Sequence, residues 1–134
     1  MPNSFNYIAR TNKRCVVGVF LDTANTSLTF GITASAFGYS VAEGSGITNN
    51  TASLSRIVYG MSGPQGGANS VSMRFGTTQP IVPNPVFVIG GWGANAVDFE
   101  RLTLHNNALT ADGTFIVQNG TAGVVTAYLE FVPF

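Results

Sequence analysis

Charge is what this chain of 134 residues has least of. Six Lys and Arg balance six Asp and Glu, so charged side chains make up 9% of the composition and the formal net charge is zero. An ordinary soluble domain carries about 25% charged residues. With no basic surplus, nothing draws the chain to nucleic acid or to an anionic membrane independently of sequence, and neither is expected as a direct partner. Histidine, cysteine, tryptophan and lysine occur once each. A single cysteine cannot close an internal disulfide, so no disulfide framework is available. A zinc site would have to combine His105, Cys15 and distant carboxylates, and no pair of these has ligand spacing, so no metal and no cofactor are expected. Long apolar runs are absent too. The longest, Cys15-Val16-Val17-Gly18-Val19-Phe20-Leu21, has seven residues, against about 20 for a bilayer-spanning helix. Lys13 and Arg14 ahead of that run imitate the basic region of a signal peptide, but the apolar part is minimal and Asp22 follows it, so no signal peptide is expected.

In place of charge the chain carries Gly, Thr, Asn and Ser, together with 45% hydrophobic residues. Disorder requires low hydrophobicity with high net charge, so this composition predicts a folded core, and the length predicts one domain. Apolar residues recur with period two: Leu28, Phe30, Ile32; Phe37, Tyr39, Val41; Val71, Met73, Phe75. No stretch repeats at helical spacing over several turns, so little or no long helix is expected. Asp112-Gly113 and Asn119-Gly120 suit two-residue hairpins and predict a meander from about Ala108 to Val132. Gly63 to Asn69 reads as a long loop. A second connection runs from Gln79 to Pro85, where three prolines preclude a central strand. Between Ala96 and His105 the apolar phase switches from Val97 and Phe99 to Leu102 and Leu104, which places a β-bulge near Glu100 and Arg101. Eight to ten strands result. They predict an all-β fold, a two-sheet antiparallel β-sandwich of jelly-roll-like form over residues 15–134, preceded by an N-terminal arm over residues 1–14.

Few residues invite chemistry. His105 beside Asn106-Asn107 reads as a strand end, and no Gly-x-Ser-x-Gly elbow supports a nucleophilic triad. Asp98 and Glu100, two apart on a strand, project their carboxylates from one face, which also describes a solvated strand surface. A hydrolase using His105 with Asp98 or Glu100 is the reading of last resort. Gly90-Gly91-Trp92-Gly93 lacks the lysine and helix of a phosphate loop. It reads as a tight turn that leaves Trp92 near the surface, free to anchor a subunit or stack on a sugar. No enzyme is expected.

Surfaces say more. The strand Val16 to Leu21, the strand Val86 to Ile89 and the last strand are apolar on both faces; the last sets Val125, Ala127, Leu129 and Phe131 against Val124, Tyr128 and Val132. A lone antiparallel sandwich usually keeps one face of each sheet wet, so something must cover the outer faces, either a loop or a neighbouring subunit. Cys15 reads as a small core residue. Phe5, Tyr7 and Ile8 make the N-terminal segment too apolar to float, and Phe131-Val132-Pro133-Phe134 raises the same point at the other end. Arg10, Lys13 and Arg14 form the one basic cluster.

A small β domain rich in Gly, Thr, Asn and Ser, with one lysine, no net charge and apolar ends, resembles the virion structural proteins of tailed bacteriophages, above all the small capsid decoration or cement subunits. The resemblance lies in style over the whole chain; no motif carries it. It implies a non-enzymatic structural subunit of jelly-roll or sandwich form, commonly a homotrimer, clamping a shell where major capsid proteins meet and residing in the virion after assembly in the host cytoplasm. The arm residues Arg10, Lys13 and Arg14 would then face the capsid. The interface expected on these grounds comprises Phe5, Tyr7, Arg10, Lys13, Arg14, Trp92, Phe131 and Phe134. The alternative is a carbohydrate- or receptor-binding module stacking sugars on Trp92, Tyr39 or Tyr59.

Overall fold

A computed structural model of the chain describes residues 3–10, 14–22, 26–33, 36–38, 52–62, 70–77, 85–90, 93–102, 111–119 and 124–132. Among these residues all regular structure is strand: β1 (Ser4–Arg10), β2 (Cys15–Leu21), β3 (Thr26–Gly31), β4 (Ser53–Ser62), β5 (Ser70–Thr77), β6 (Pro85–Gly90), β7 (Gly93–Leu102), β8 (Ala111–Asn119) and β9 (Val124–Val132). They form a five-stranded sheet, β1-β2-β9-β4-β7, and a four-stranded sheet, β3-β8-β5-β6. Every pairing is antiparallel. The pairs β2·β9, β3·β8, β4·β7 and β5·β6 are nested, outermost with outermost, as in one long hairpin. Pairing of β4 with β9 and of β5 with β8 rolls that hairpin into two sheets. This is a jelly roll, two antiparallel sheets packed as a sandwich, as the strand count and patterning predict.

The core lies between the sheets and is built by alternation. In β2, Cys15, Val17, Val19 and Leu21 point inward; in β9, Val125, Ala127, Leu129 and Phe131 do so. Opposite them stand Phe30, Val71, Met73, Phe75, Phe115 and Val117 of the four-stranded sheet. Aromatic edges weld the two layers: Phe115 meets Phe131 at 5.3 Å and Phe30 meets Phe131 at 6.1 Å between ring centroids, both edge-on. Such T-shaped pairs add to the burial of their area. Cys15 is fully buried in the core, as its setting predicts.

Several local readings are corrected. The segment expected as an arm contributes β1, an edge strand of the chain's own sheet, and Tyr7 donates a hydrogen bond to the Gly31 carbonyl across the sandwich at 2.9 Å. Asn3 Oδ1 accepts the Asp22 amide at 3.0 Å and pins the start of that strand. Residues 36–38 make a turn, not a strand: Gly38 has φ 83° and the Phe37 amide donates to the Thr33 carbonyl. Phe37 thereby becomes a plug against Tyr7 and Phe131, while Tyr39 and Val41 lie outside the described residues. Asp112-Gly113 is no hairpin. It is a bulge inside β8, with Gly113 at φ 83° and the Asp112 carboxylate accepting from the Thr114 amide and hydroxyl. The positive φ that would serve a hairpin serves a bulge equally well. The proposed meander also fails, because β8 and β9 belong to different sheets.

Other expectations hold. The irregularity near Glu100 and Arg101 is present: Leu54 pairs with Leu102 and Arg56 with Asp98, so four steps along β7 match two along β4. Pro85 opens β6 at the edge of its sheet, a position that needs no ladder donor. The side chains of β6, and with them the two-faced pattern of Val86 to Ile89, lie outside the described residues.

Candidate functional site

The outward positions of the five-stranded sheet run in rows across the strands. One row passes from Gly18 to Tyr128, Val58 and Ala96, each paired with the next through the ladders β2·β9, β9·β4 and β4·β7. Tyr128 is 49% exposed and Val58 38%. Ile8, 51% exposed, is the extra residue of a bulge in β1. It lies over Gly18, where a Cβ would sit only 2.7 Å from Ile8 Cδ1. A glycine is therefore what lets this apolar side chain lie flat on the sheet. Phe20 and Val16 are half-buried beside it, and Val124 is exposed at the far end of β9. Between β1, β2 and β9 a depression of about 200 Å³ opens over Gly18, bordered by Phe5, Phe20 and Tyr128. Gly60, on β4, has nothing within 4 Å of its Cβ position, so the face is open there.

The neighbouring row is ionic. Val16 pairs with Glu130, Glu130 with Arg56, and Arg56 with Asp98. Arg14, just before β2, reaches Glu130 at 3.6 Å, and Arg56 Nε lies 3.1 Å from Asp98 Oδ1. Across the sheet the charges read plus, minus, plus, minus. The strands thus expose a greasy band beside a polar band, and the apolar outer face of β9 read from Val124 and Tyr128 is uncovered by the chain.

The residues expected at an interface divide. Phe5 is 40% exposed, but it pairs with the inward Val19 and its ring lies 5.6 Å from that of the buried Phe30, so it turns to the core side of β1; Arg14 stands at the end of the ionic row. Tyr7 is half-buried and tied to the core through Gly31 and Phe37. Phe131 is fully buried between the sheets and cannot meet a neighbour, because the alternation of β9 turns it inward. Arg10 lies in β1 with its side chain outside the described residues, as are Lys13, Trp92 and Phe134 altogether. Ile8, Val58 and Gly60 were missed. The signal for Val58 was present in Arg56-Ile57-Val58-Tyr59, but only the registers of β4 place it beside Tyr128.

For chemistry the site offers little. Among the described residues no cluster of three or more His, Cys, Asp or Glu could hold a metal ion. His105 and the Glu100 side chain lie outside the described residues, and Asp98 is engaged with Arg56. Of the sugar-stacking residues, Tyr59 packs against the core, and Trp92 and Tyr39 lie outside the description. No helix among the described residues is long and apolar enough to cross a membrane. Neither a protein-family model nor a curated protein matches the chain.

Proposed function

We propose that this chain is a non-enzymatic structural subunit of a virion, a decoration or cement protein that stabilises a capsid through contacts between proteins. One observation carries the reading: the outer face of the five-stranded sheet exposes Ile8, Val58, Val124 and Tyr128 in a chain with almost no charge to keep copies apart. Contiguous apolar surface on a small domain marks a protein-binding area, and low net charge favours association. Jelly rolls build many viral capsid domains, although they build lectins too, so the fold alone does not decide the role. The partners of this reading are further copies of the chain, a homotrimer in the resemblance, and the major capsid protein.

Light scattering on the purified chain, with co-sedimentation on shells assembled from the major capsid protein of the virus that encodes it, tests the reading. Self-association and shell binding support it. A stable monomer with no affinity for the shell overturns it. A second reading, a carbohydrate- or receptor-binding module, draws on Tyr128, an exposed aromatic ring bordering the depression over Gly18. Glycan-array binding that Tyr128→Ala abolishes would favour that module over the cement protein.

A further inference from the structure

The ionic row has a property of its own. Taken across the strands it reads Arg14 beside β2, Glu130 on β9, Arg56 on β4 and Asp98 on β7. A sequence of alternating signs becomes its own complement when reversed. A two-fold axis parallel to the strands, passing between β9 and β4, performs that reversal: it exchanges β9 with β4 and β2 with β7. Glu130 then faces Arg56 of a second copy, and Asp98 of that copy stands over Val16, with the Arg14 side chain reaching toward it from about 6.6 Å along β2. We propose that the outer face of the five-stranded sheet is a two-fold, face-to-face interface between two copies of this chain.

The other rows agree with the same axis. Tyr128 and Val58, the large apolar residues, sit on the two central strands and exchange places, while on the flanking strands Ile8, which lies over Gly18, is carried over the small Ala96 of the other copy. Thr126, paired with Gly60 in the ladder, is carried over the open space at Gly60 of the other copy. Stacked sheets stand about 10 Å apart, a gap that facing Arg and Glu side chains can span. Aligned sheets cross at about 30°, so contacts nearest the axis are held best, and Glu130 with Arg56 is the charged pair nearest it. At about 4.8 Å per strand and about 3.3 Å per residue, the four strands that this axis superposes, β2, β9, β4 and β7, overlap over a flat area of roughly 600 Å², with β1 overhanging the edge. A stable interface buries about 800 Å² per partner. Isologous contacts of this kind are the commonest in soluble oligomers.

The proposal rests on the assembly reading but can fail separately from it. Light scattering is read on the wild type, on Arg56→Glu, on Glu130→Arg, on their equimolar mixture and on Gly60→Lys. A two-fold pair departs from the homotrimer that the resemblance implies, and the wild type is expected at twice the chain mass. Each charge reversal sets like charges against each other twice in its own dimer, and weakens pairing on the order of tenfold or more. The mixture restores both contacts in a heterodimer, with affinity near that of the wild type. Loss of the in-chain partners Asp98 or Arg14 cannot produce that rescue. Gly60→Lys, which meets nothing within 4 Å in the single chain, is expected to fold and remain a monomer; it carries the test should a reversal fail to fold. A wild-type monomer at millimolar concentration, reversals that leave the mass unchanged, folded reversals that do not recover on mixing, or a dimeric Gly60→Lys overturns the proposal. A monomer that still binds capsid shells would sink this interface and leave the cement reading standing; a dimer that ignores shells would do the opposite.

Discussion

The two sheets line one core, yet their outer faces differ. Outside the four-stranded sheet stand Ser27, Thr29, Ser72, Arg74, Thr114 and Gln118, with Ile116 half-buried among them. Outside the five-stranded sheet stand Ile8, Val58, Tyr128 and Val124, each at least 38% exposed. A monomeric sandwich would keep both faces wet. Among the described residues only one of these faces follows that rule, and the exposed large apolar side chains stand on the five-stranded sheet. The core residues hold the fold, and in the proposed assembly the exposed band makes the contacts, often one residue apart on the same strand.

The largest effect tests that division along β9. Phe131, with no exposed surface, touches the rings of Phe30, Phe37 and Phe115. Phe131→Ala is expected to cost about 3–5 kcal/mol in urea unfolding. Glu130→Ala, one residue away on the opposite face, is expected to cost no more than about 1 kcal/mol in the monomer. Similar losses at both positions would mean that the face, not the core, holds the fold.

A matched pair of substitutions compares the two faces directly. Tyr128→Lys and Thr29→Lys both place a cation on an exposed strand position, and each is expected to change the unfolding free energy by about 0.5 kcal/mol or less. Their association should differ: Tyr128→Lys weakens self-association on the order of tenfold or more by burying an unpaired charge, while Thr29→Lys leaves it unchanged. Sedimentation velocity over a concentration series reads both, and equal effects would erase the distinction between the faces.

Much of this division was legible in the alternation of single strands, and little of it in the pairing of strands. Period-two patterns found the inward sets of β3, β5 and β9, because burial of one face is written locally along a strand, whereas β2, apolar at nearly every position, did not reveal which face turns inward. Val124 and Tyr128 could be read as outward for the same reason. Turn chemistry misled: Asp112-Gly113 satisfies the backbone of a hairpin and of a bulge alike, and only the pairing of Phe75 with Phe115 and Thr77 with Ala111 distinguishes them. Phe37 looked like a strand residue because Tyr39 and Val41 follow it at period two, while a turn closed on the Thr33 carbonyl buries the same ring. Phe131 was assigned to an interface for its nearness to the chain end, although its parity with Leu129 already turned it inward. The row from Gly18 to Ala96 joins residues of four strands, and its neighbours become visible only when the registers are known.

The smallest effects come from a cross-strand polar pair on the wet face and its counterpart on the greasy one. Arg74 Nη1 donates to Gln118 Oε1 at 2.9 Å between half-buried side chains, and Arg74→Ala should cost about 1 kcal/mol. Arg56 and Asp98 form a tighter-looking ion pair at 3.1 Å, but their side chains are 48% and 79% exposed. Side-chain entropy and salt screening reduce such a pair to about 0–1 kcal/mol, so a double-mutant cycle on dilute, monomeric protein should return a coupling near the low end, fading further in high salt. The same cycle on concentrated protein asks a different question. If two copies stack through this face, water leaves the pair, the dielectric around it falls and each group gains a second opposite charge, so the measured coupling should rise with protein concentration. The Arg74–Gln118 coupling should not move, because nothing is stacked on that sheet. A concentration-independent value for Arg56 and Asp98 would make the two faces equivalent and remove the reason for treating either as an interface.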